Sequence, residues 1–486
     1  LKGNLMALFY PAESLSTHLD ELQLERLYAT VSGQVIVPGD ADYDQTRAAW
    51  NLSVDQHPAV IVIAADADDI AAALRFAALV DIDVTVQSTG HGVARPANDS
   101  LLLITRKLNG VQVDATTQTA WVEAGVKWGA VLEQAQAVGL APLLGSSPGV
   151  GAIGYTLGGG MGWLARKYGL AADSVLRFEV VLANGEKVTA SATENADLFW
   201  ALGGGGGAFA VVTGMEIKLY PVKTVYGGTL IYPAADAREV LQFFREWSQY
   251  LPNDWTTSAA VMNMPPLPEL PPFLSGQSVV MIHACYAGDA RIGQMMAQAW
   301  MDWKAPIVNG FHEMPFSEVG SISNDPQDPV PGKSSGAWLA DLSDETIDTV
   351  LRFALPAGGP PALVKTEIRR AGGAMAMVEN TARAYSNRQA PFVLQMVGIS
   401  PTPEAVKRVM AHVDAFKSAL HPHLTGGTYM NFLEGDEKYT SSRQSFTGDK
   451  HDMLKGIKAK YDPLNRFNRA LNLLPDANGK FVKRLR

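Results

Sequence analysis

The stretch QSTGHGVARP, residues 87–96, sets a single histidine, His91, between two glycines just past a segment that reads as a β-strand. A neutral imidazole is a nucleophile, and Gly90 and Gly92 leave little to shield it from a close partner. A second group stands in ALVKTEIRRAGG, where Lys365, Glu367 and Arg369 alternate with Thr366 and Ile368. That alternation puts three charges on one face of a strand. The face either meets water at a sheet edge or is buried, and buried it offers a carboxylate paired with cations. Burial would raise the pKa of Glu367 and a neighbouring cation would lower it. Gln395, in FVLQMVG, is expected on an adjacent strand, where its amide can orient a substrate.

Glycine supplies the third feature. Residues 145–207 hold 15 of the 45 glycines, in GVGAIGYTLGGGMG (149–162) and LGGGGGAFAVVT (202–213) above all. Without a Cβ in the way, successive N–H groups can converge on an anion, so a diphosphate is the natural guest. No GK[ST] follows, which excludes a Walker loop, and no strand leads directly into the first cluster, which weakens a dinucleotide-fold reading. Each cluster alone reads more readily as a tight turn than as a cofactor site. Three glycine loops in one domain suit an extended cofactor that carries a diphosphate.

The elements that must position these residues follow from periodicity. PAVIVIAA reads as a buried strand, DADDIAAALRFAALV as a helix with acids in its first turn, and VDIDVTVQ as a strand with Val80, Ile82, Val84 and Val86 on one face. The histidine loop therefore lies beyond the carboxyl end of a strand, where α/β sheets hold ligands. Past Tyr220 the chain alternates strands (YGGTLIYP, TTSAAVMNM, QSVVMIHACYAG, ALVKTEIRRAG, FVLQMVGIS) with amphipathic helices, which suggests a separate α+β domain. The loop PPLPELPPF reads equally as a linker or a lid.

Composition narrows the partners. A chain of 486 residues, 47% hydrophobic and 18% charged, can bury a large core, and a net charge of −9 without basic runs argues against nucleic acid or an anionic membrane. Aspartates interrupt the most apolar stretch, so no membrane span is expected. One cysteine, Cys285, excludes internal disulfides and reads as a buried strand residue, and the histidines show no metal-binding spacing. A cytoplasmic location is expected, with a leader removed before Leu1 as the alternative.

QSTGHG, GSSPGVGAIGYTLGGGMGWLARKYGL, ENADLFWALGGGGGAFAVVT, and YMNF with KAKYDPLNRF, in that order, closely resemble the berberine-bridge-enzyme-like branch of the vanillyl alcohol oxidase and p-cresol methylhydroxylase (PCMH) flavoproteins. The resemblance implies an α+β, two-domain fold. An FAD-binding PCMH-type domain would occupy residues 22–224 and a central α+β substrate domain with an antiparallel sheet residues 225–428. Residues 429–486 would complete the flavin domain. It further implies FAD bonded through its 8α carbon to His91, with Ser88, Thr89, Gly90 and Gly92 cradling the diphosphate. Relatives often bond a cysteine to the flavin as well. Ser147 stands at that position here and Cys285 lies far away, so a single covalent link is expected.

Val150 falls at the family's oxygen gate, where valine accompanies oxidases. Tyr155 falls where relatives hydrogen-bond the flavin's pyrimidine end. Gly151, Gly154, Gly158, Gly159, Gly160, Gly206, Val211 and Asn472 are further expected flavin contacts. Hydroxynicotine oxidases of the family carry a similar charged strand facing the flavin, which makes Glu367 the leading candidate base, with Lys365 and Arg369 as substrate contacts. Relatives commonly show Tyr-x-Asn-Tyr, but TYMNF places Phe432 at the second tyrosine, among the expected substrate contacts. The base must then be Glu367, Tyr429 or Tyr155, or none is needed, as for hydride loss from a neutral amine carbon. The expected protein is an FAD-dependent oxidase of a small amine, alcohol or natural-product intermediate, reoxidised by O2 to give H2O2. An oxygenase or oxidative cyclase on the same fold, a flavin-binding protein without turnover, and a nicotinamide dehydrogenase are the alternatives.

Overall fold

A computed structural model describes residues 19–356 and 358–473; the remainder of the expected C-terminal segment, 474–486, lies outside them. The first sheet holds β1 (Gln34–Ile36), β2 (Val60–Ile63), β3 (Val84–Gln87) and β4 (Leu101–Ile104) in the order β1-β2-β4-β3. β2 and β3 both run parallel to the central β4, and every residue of β2 and β4 is buried. Continuous apolar runs such as VIVI and LLLI suit strands covered on both faces. The helix Ala67–Leu79 joins β2 to β3, started by Asp66, whose side chain accepts from the Asp68 and Asp69 N–H groups. The VDIDVTVQ strand is shorter than its alternation implies, because Asp81 takes a positive φ of 55° and turns the chain before Val84.

The second sheet, antiparallel, holds β5 (Val111–Asp114), β6 (Thr119–Glu123), β7 (Val175–Val181), β8 (Lys187–Ser191) and β9 (Val211–Lys218) in the order β5-β6-β9-β7-β8. One hydrophobic core fills the space between these two sheets and their helices, and Leu454, Tyr461, Phe467, Leu471 and Leu473 from the end of the chain pack into it.

The third sheet is an antiparallel one of eight strands: β10 (Thr224–Pro233), β11 (Trp255–Asn263), β12 (Ser278–Tyr286), β13 (Val308–Asn309), β14 (His312–Pro315), β15 (Gly332–Leu339), β16 (Lys365–Arg370) and β17 (Phe392–Ile399). Its main order is β13-β10-β12-β11-β16-β17-β15, with β14 also on β10. Helices Ala237–Gln249, Asp344–Ala354 and Pro403–Leu420 cover one face around a second core that includes Ile368, Leu394 and Met396. The α+β class and the antiparallel central sheet thus agree with expectation. β15 escapes periodicity because its sequence, GKSSGAWL, opens with a lysine and two serines. The proline loop 265–273 connects β11 to β12 inside this one sheet, which removes its reading as an interdomain linker.

The tail is fastened by a charge pair. Lys458 and Asp462 are fully buried and bonded to each other; the ammonium also donates to the Ala208 carbonyl (2.7 Å), and Asp462 accepts from the Arg466 and Phe467 N–H groups (both 2.9 Å). Asp462→Ala takes a carboxylate from beside a buried ammonium and frees the following turn, so denaturant unfolding should show a loss of about 3–5 kcal/mol.

Candidate active site

One cavity of about 1090 Å³ lies between the two glycine-rich sheets and the face of the third sheet that its helices leave uncovered. It exceeds the usual size of a small-molecule pocket, so a large cofactor and a substrate can share it. Its walls collect nearly all of the expected residues: Ser88, Thr89, Gly90, His91, Gly92, Ser147, Val150, Gly151, Gly154, Tyr155, Gly158, Gly206, Val211, Lys365, Glu367, Arg369, Gln395, Tyr429 and Phe432. Gly159, Gly160 and Asn472 lie behind the wall instead. Gly160 backs onto the Tyr155 ring, and the Asn472 carbonyl accepts from Ser442 Oγ at 3.4 Å. Near Asn472 it is Arg469, Ala470 and Leu471 that reach the cavity.

The His91 loop is held from behind. Trp50 and Asn51 donate main-chain N–H groups to the Thr89 and Gly90 carbonyls (3.1 and 3.3 Å), and the Trp50 ring stacks on His91 at 4.1 Å. Gly90 takes a φ of 82°, and a Cβ there would meet Ala49 and Trp50 at 2.8 Å, so only glycine fits. Among the described residues none of the five main-chain N–H groups of residues 88–92 has a protein acceptor. Consecutive free N–H groups form an anion-binding nest. Ser88 Oγ and Tyr155 OH are likewise buried without a protein partner. Unpaired donors on the wall of a large cavity fit a ligand with a diphosphate and a heteroaromatic ring, which is the chemistry of FAD.

His91 Nδ1 lies 2.8 Å from Thr89 Oγ1. Burial, with a smaller push from Lys127, lowers its pKa to about 4, so the imidazole is neutral at physiological pH. Gly158 faces Asn431, whose Oδ1 would lie 1.8 Å from a Cβ, and Asn431 Nδ2 donates to the Tyr155 carbonyl at 2.9 Å. The YMNF turn thereby locks onto the glycine helix.

The charged strand is internal, paired with β11 on one side and β17 on the other, so its alternation does not mark an edge in water. Glu367, only 2% exposed, accepts from Ser258 Oγ at 2.6 Å and from Arg369 Nη2 at 3.0 Å, and lies 3.4 Å from Lys365 Nζ. Burial alone would raise its pKa, but Arg369 and Lys365, with His283 and Ser258, outweigh burial and hold it well below the usual carboxylate range. So held, Glu367 is an ionised anchor for the cations around it. Gln395 stands opposite Glu367 in the strand register and 3.4 Å from Arg369 Nη2.

Phe432 underlies the Arg369 guanidinium at 5.0 Å. Tyr429 OH accepts from the Met161 N–H (2.9 Å) and Asn431 Nδ2 (3.2 Å). Burial raises the pKa of both Tyr155 and Tyr429, so each is a neutral phenol. Sequence reasoning missed Asp325, which lies 3.7 Å from Lys365 and accepts from Ser146 at 2.6 Å, and His283, whose Nδ1 lies 3.0 Å from the Ile322 carbonyl. Both line the cavity from loops or strands distant in sequence. Among the described residues no cluster is placed to hold a metal ion, and no helix is long and apolar enough to cross a membrane.

Comparison with known proteins agrees with this geometry. Residues 58–191 match the family model described as an FAD binding domain. An FAD-linked oxidoreductase of Dictyostelium discoideum is 26% identical over 92% of this chain and 96% of its own. The (R)-6-hydroxynicotine oxidase of Paenarthrobacter nicotinovorans is 36% identical over 39% of this chain and 42% of its own. The solved structure of the berberine-bridge-enzyme-like protein 1 of Physcomitrella patens superposes with a TM-score of 0.80 at 20% identity, over 93% of this chain and 99% of that one.

Glu367→Gln leaves Lys365 and Arg369 without their shared anion and should cost about 3 kcal/mol at neutral pH. A depressed folded-state pKa stabilises only while the carboxylate is ionised in both states. The gap between variant and parent should therefore persist down to the ordinary glutamate value near 4.3 and close only below it, as read from unfolding against pH.

Proposed function

We propose that this FAD-linked oxidoreductase belongs to the vanillyl alcohol oxidase and p-cresol methylhydroxylase family and is an oxidase of a small amine or activated aromatic substrate, with FAD joined covalently to His91 and O2 as electron acceptor. The observation that carries the reading is that none of Glu367, His283, Tyr155, Tyr429 and Phe432 is tuned to take a proton near neutrality. Glu367 and His283 bind protons only below their ordinary ranges, Tyr155 and Tyr429 release theirs only above it, and Phe432 has none to exchange. Oxidising an alcohol carbon gains from a base, whereas hydride loss from a neutral amine carbon needs none.

Bound flavin supplies the hydride acceptor and the path for two electrons to O2. The protein's share is orientation. Lys365, Arg369 and Gln395 present donors fixed by Glu367 and the sheet, so a substrate acceptor atom docks without their reorganising. Trp50 and Thr89 hold the neutral His91 ring in one orientation, which suits bond formation at an electrophilic carbon. Val150, partly buried at the cavity, is small enough to leave O2 a path. The hydroxynicotine oxidase among the relatives supports an amine substrate.

Anaerobic mixing with a panel of tertiary amines and benzylic alcohols tests the proposal. The amines should bleach the flavin, and readmitted air should return one H2O2 per turnover. Bleaching by alcohols alone would refute the substrate class, and reoxidation without peroxide would favour an oxygenase. Val150→Leu should slow reoxidation about tenfold and leave the anaerobic half-reaction as fast as before, in stopped-flow traces.

A further inference from the structure

The carboxyl of Glu434 stands outside the charged set of Asp325, Lys365, Glu367 and Arg369, yet it lines the same cavity, half-buried. One oxygen is fixed: Oε2 accepts from Asn51 Nδ2 at 3.1 Å and from the Ser334 N–H at 3.0 Å. The other, Oε1, has no hydrogen-bond partner among the described residues. Its surroundings belong to the His91 loop. Asn51, which holds Oε2, also donates its N–H to the Gly90 carbonyl. The Gly435 N–H donates to the Val93 carbonyl at 3.2 Å, and Lys438 Nζ donates to the Gly92 carbonyl at 3.1 Å. Glu434 is thus tied to the loop that presents His91, and among the described residues it shares no hydrogen bond or ion pair with Lys365, Glu367 or Arg369.

We propose that Glu434 is the proton acceptor for covalent attachment of the flavin to His91. This inference rests on the covalent link proposed above. Glu434 takes a proton from the 8α carbon as that C–H bond breaks, the unprotonated ring nitrogen of His91 forms the new bond to the same carbon, and the other ring nitrogen then gives up its proton to solvent. The C–H electron pair remains on the flavin, and O2 removes those two electrons as H2O2.

The chemistry of the group agrees with the geometry. Burial raises the Glu434 pKa, and the Ser334 N–H, the Lys333 and Lys438 cations and Asn51 limit the rise, leaving it at about 7. Lys333 Nζ is engaged with the Glu434 carbonyl at 2.8 Å, burial lowers the pKa of Lys438, and His91 is neutral. A base with a pKa near the working pH is the kind that transfers protons efficiently.

The full chain, purified from flavin-depleted cells and mixed with FAD in air, gives the test: the covalent fraction is read with time from in-gel flavin fluorescence after denaturation. Glu434→Gln should attach FAD about 100-fold more slowly while still taking it up noncovalently, because the N–H nest is intact. Glu434→Asp should recover part of the rate. In the parent, the attachment rate should rise with pH through about 7. That profile needs no variant and stands even if Glu434→Gln fails to fold. Attachment by Glu434→Gln at the parent rate, or a flat parent profile, overturns the role of Glu434 alone. A parent that holds FAD only noncovalently overturns the covalent link together with this inference.

Discussion

An imidazole that is to form a bond to carbon, as proposed for His91, has to arrive uncharged, and in water near neutral pH a sizeable share of histidines carry a proton. Burial is the remedy here. Packed against Trp50 and Thr89 and beside the cationic Lys127, His91 loses its proton far more readily than in solvent. The same packing dictates the rest of the loop. The backbone passes so close to Ala49 and Trp50 that a Cβ at position 90 would lie 2.8 Å from them, which only a glycine allows. The Thr89 and Gly90 carbonyls are taken up by the Trp50 and Asn51 N–H groups, and among the described residues the N–H groups of residues 88–92 have no protein acceptor. Nucleophile and anion nest are two consequences of one tight turn.

The substrate wall solves a different problem. Asp325, Lys365, Glu367 and Arg369 form a buried set in which formal charges cancel, so no net charge is left against a neutral substrate. Burying such a set costs solvation, and replacing it with apolar side chains would not lower stability by itself. Its benefit lies in direction. Each acid fixes the donors around it, so the positions of the Arg369 and Lys365 donors are set before a substrate arrives. Where many flavoproteins of this type use a phenol, Phe432 supplies only a ring beneath a guanidinium.

Much of this was legible in the chain and the rest was not, for physical reasons. The histidine loop, the glycine clusters and the charged strand are local patterns whose spacing carries their meaning. Whether the charged face of residues 365–369 met water or a cavity depended on β11 and β17, which lie far away in sequence, so alternation alone left it open. Asp325, His283 and Glu434 are single polar residues in unremarkable surroundings, and only the tertiary fold gives them partners. Asn472 belongs to a tail that does reach the cavity, one to three residues earlier in the chain than expected. The direction of the Glu367 shift required the actual distances to Arg369 and Lys365, since burial and charge act oppositely on it.

The account stands or falls on the bond between His91 and the flavin. Acid-precipitating the purified protein, digesting the pellet and sequencing the flavin-bearing peptide by mass spectrometry measures it directly. The result expected is a yellow pellet with one flavin on one peptide, the one containing His91. A colourless pellet, or a flavin carried by a peptide that lacks residue 91, would contradict it.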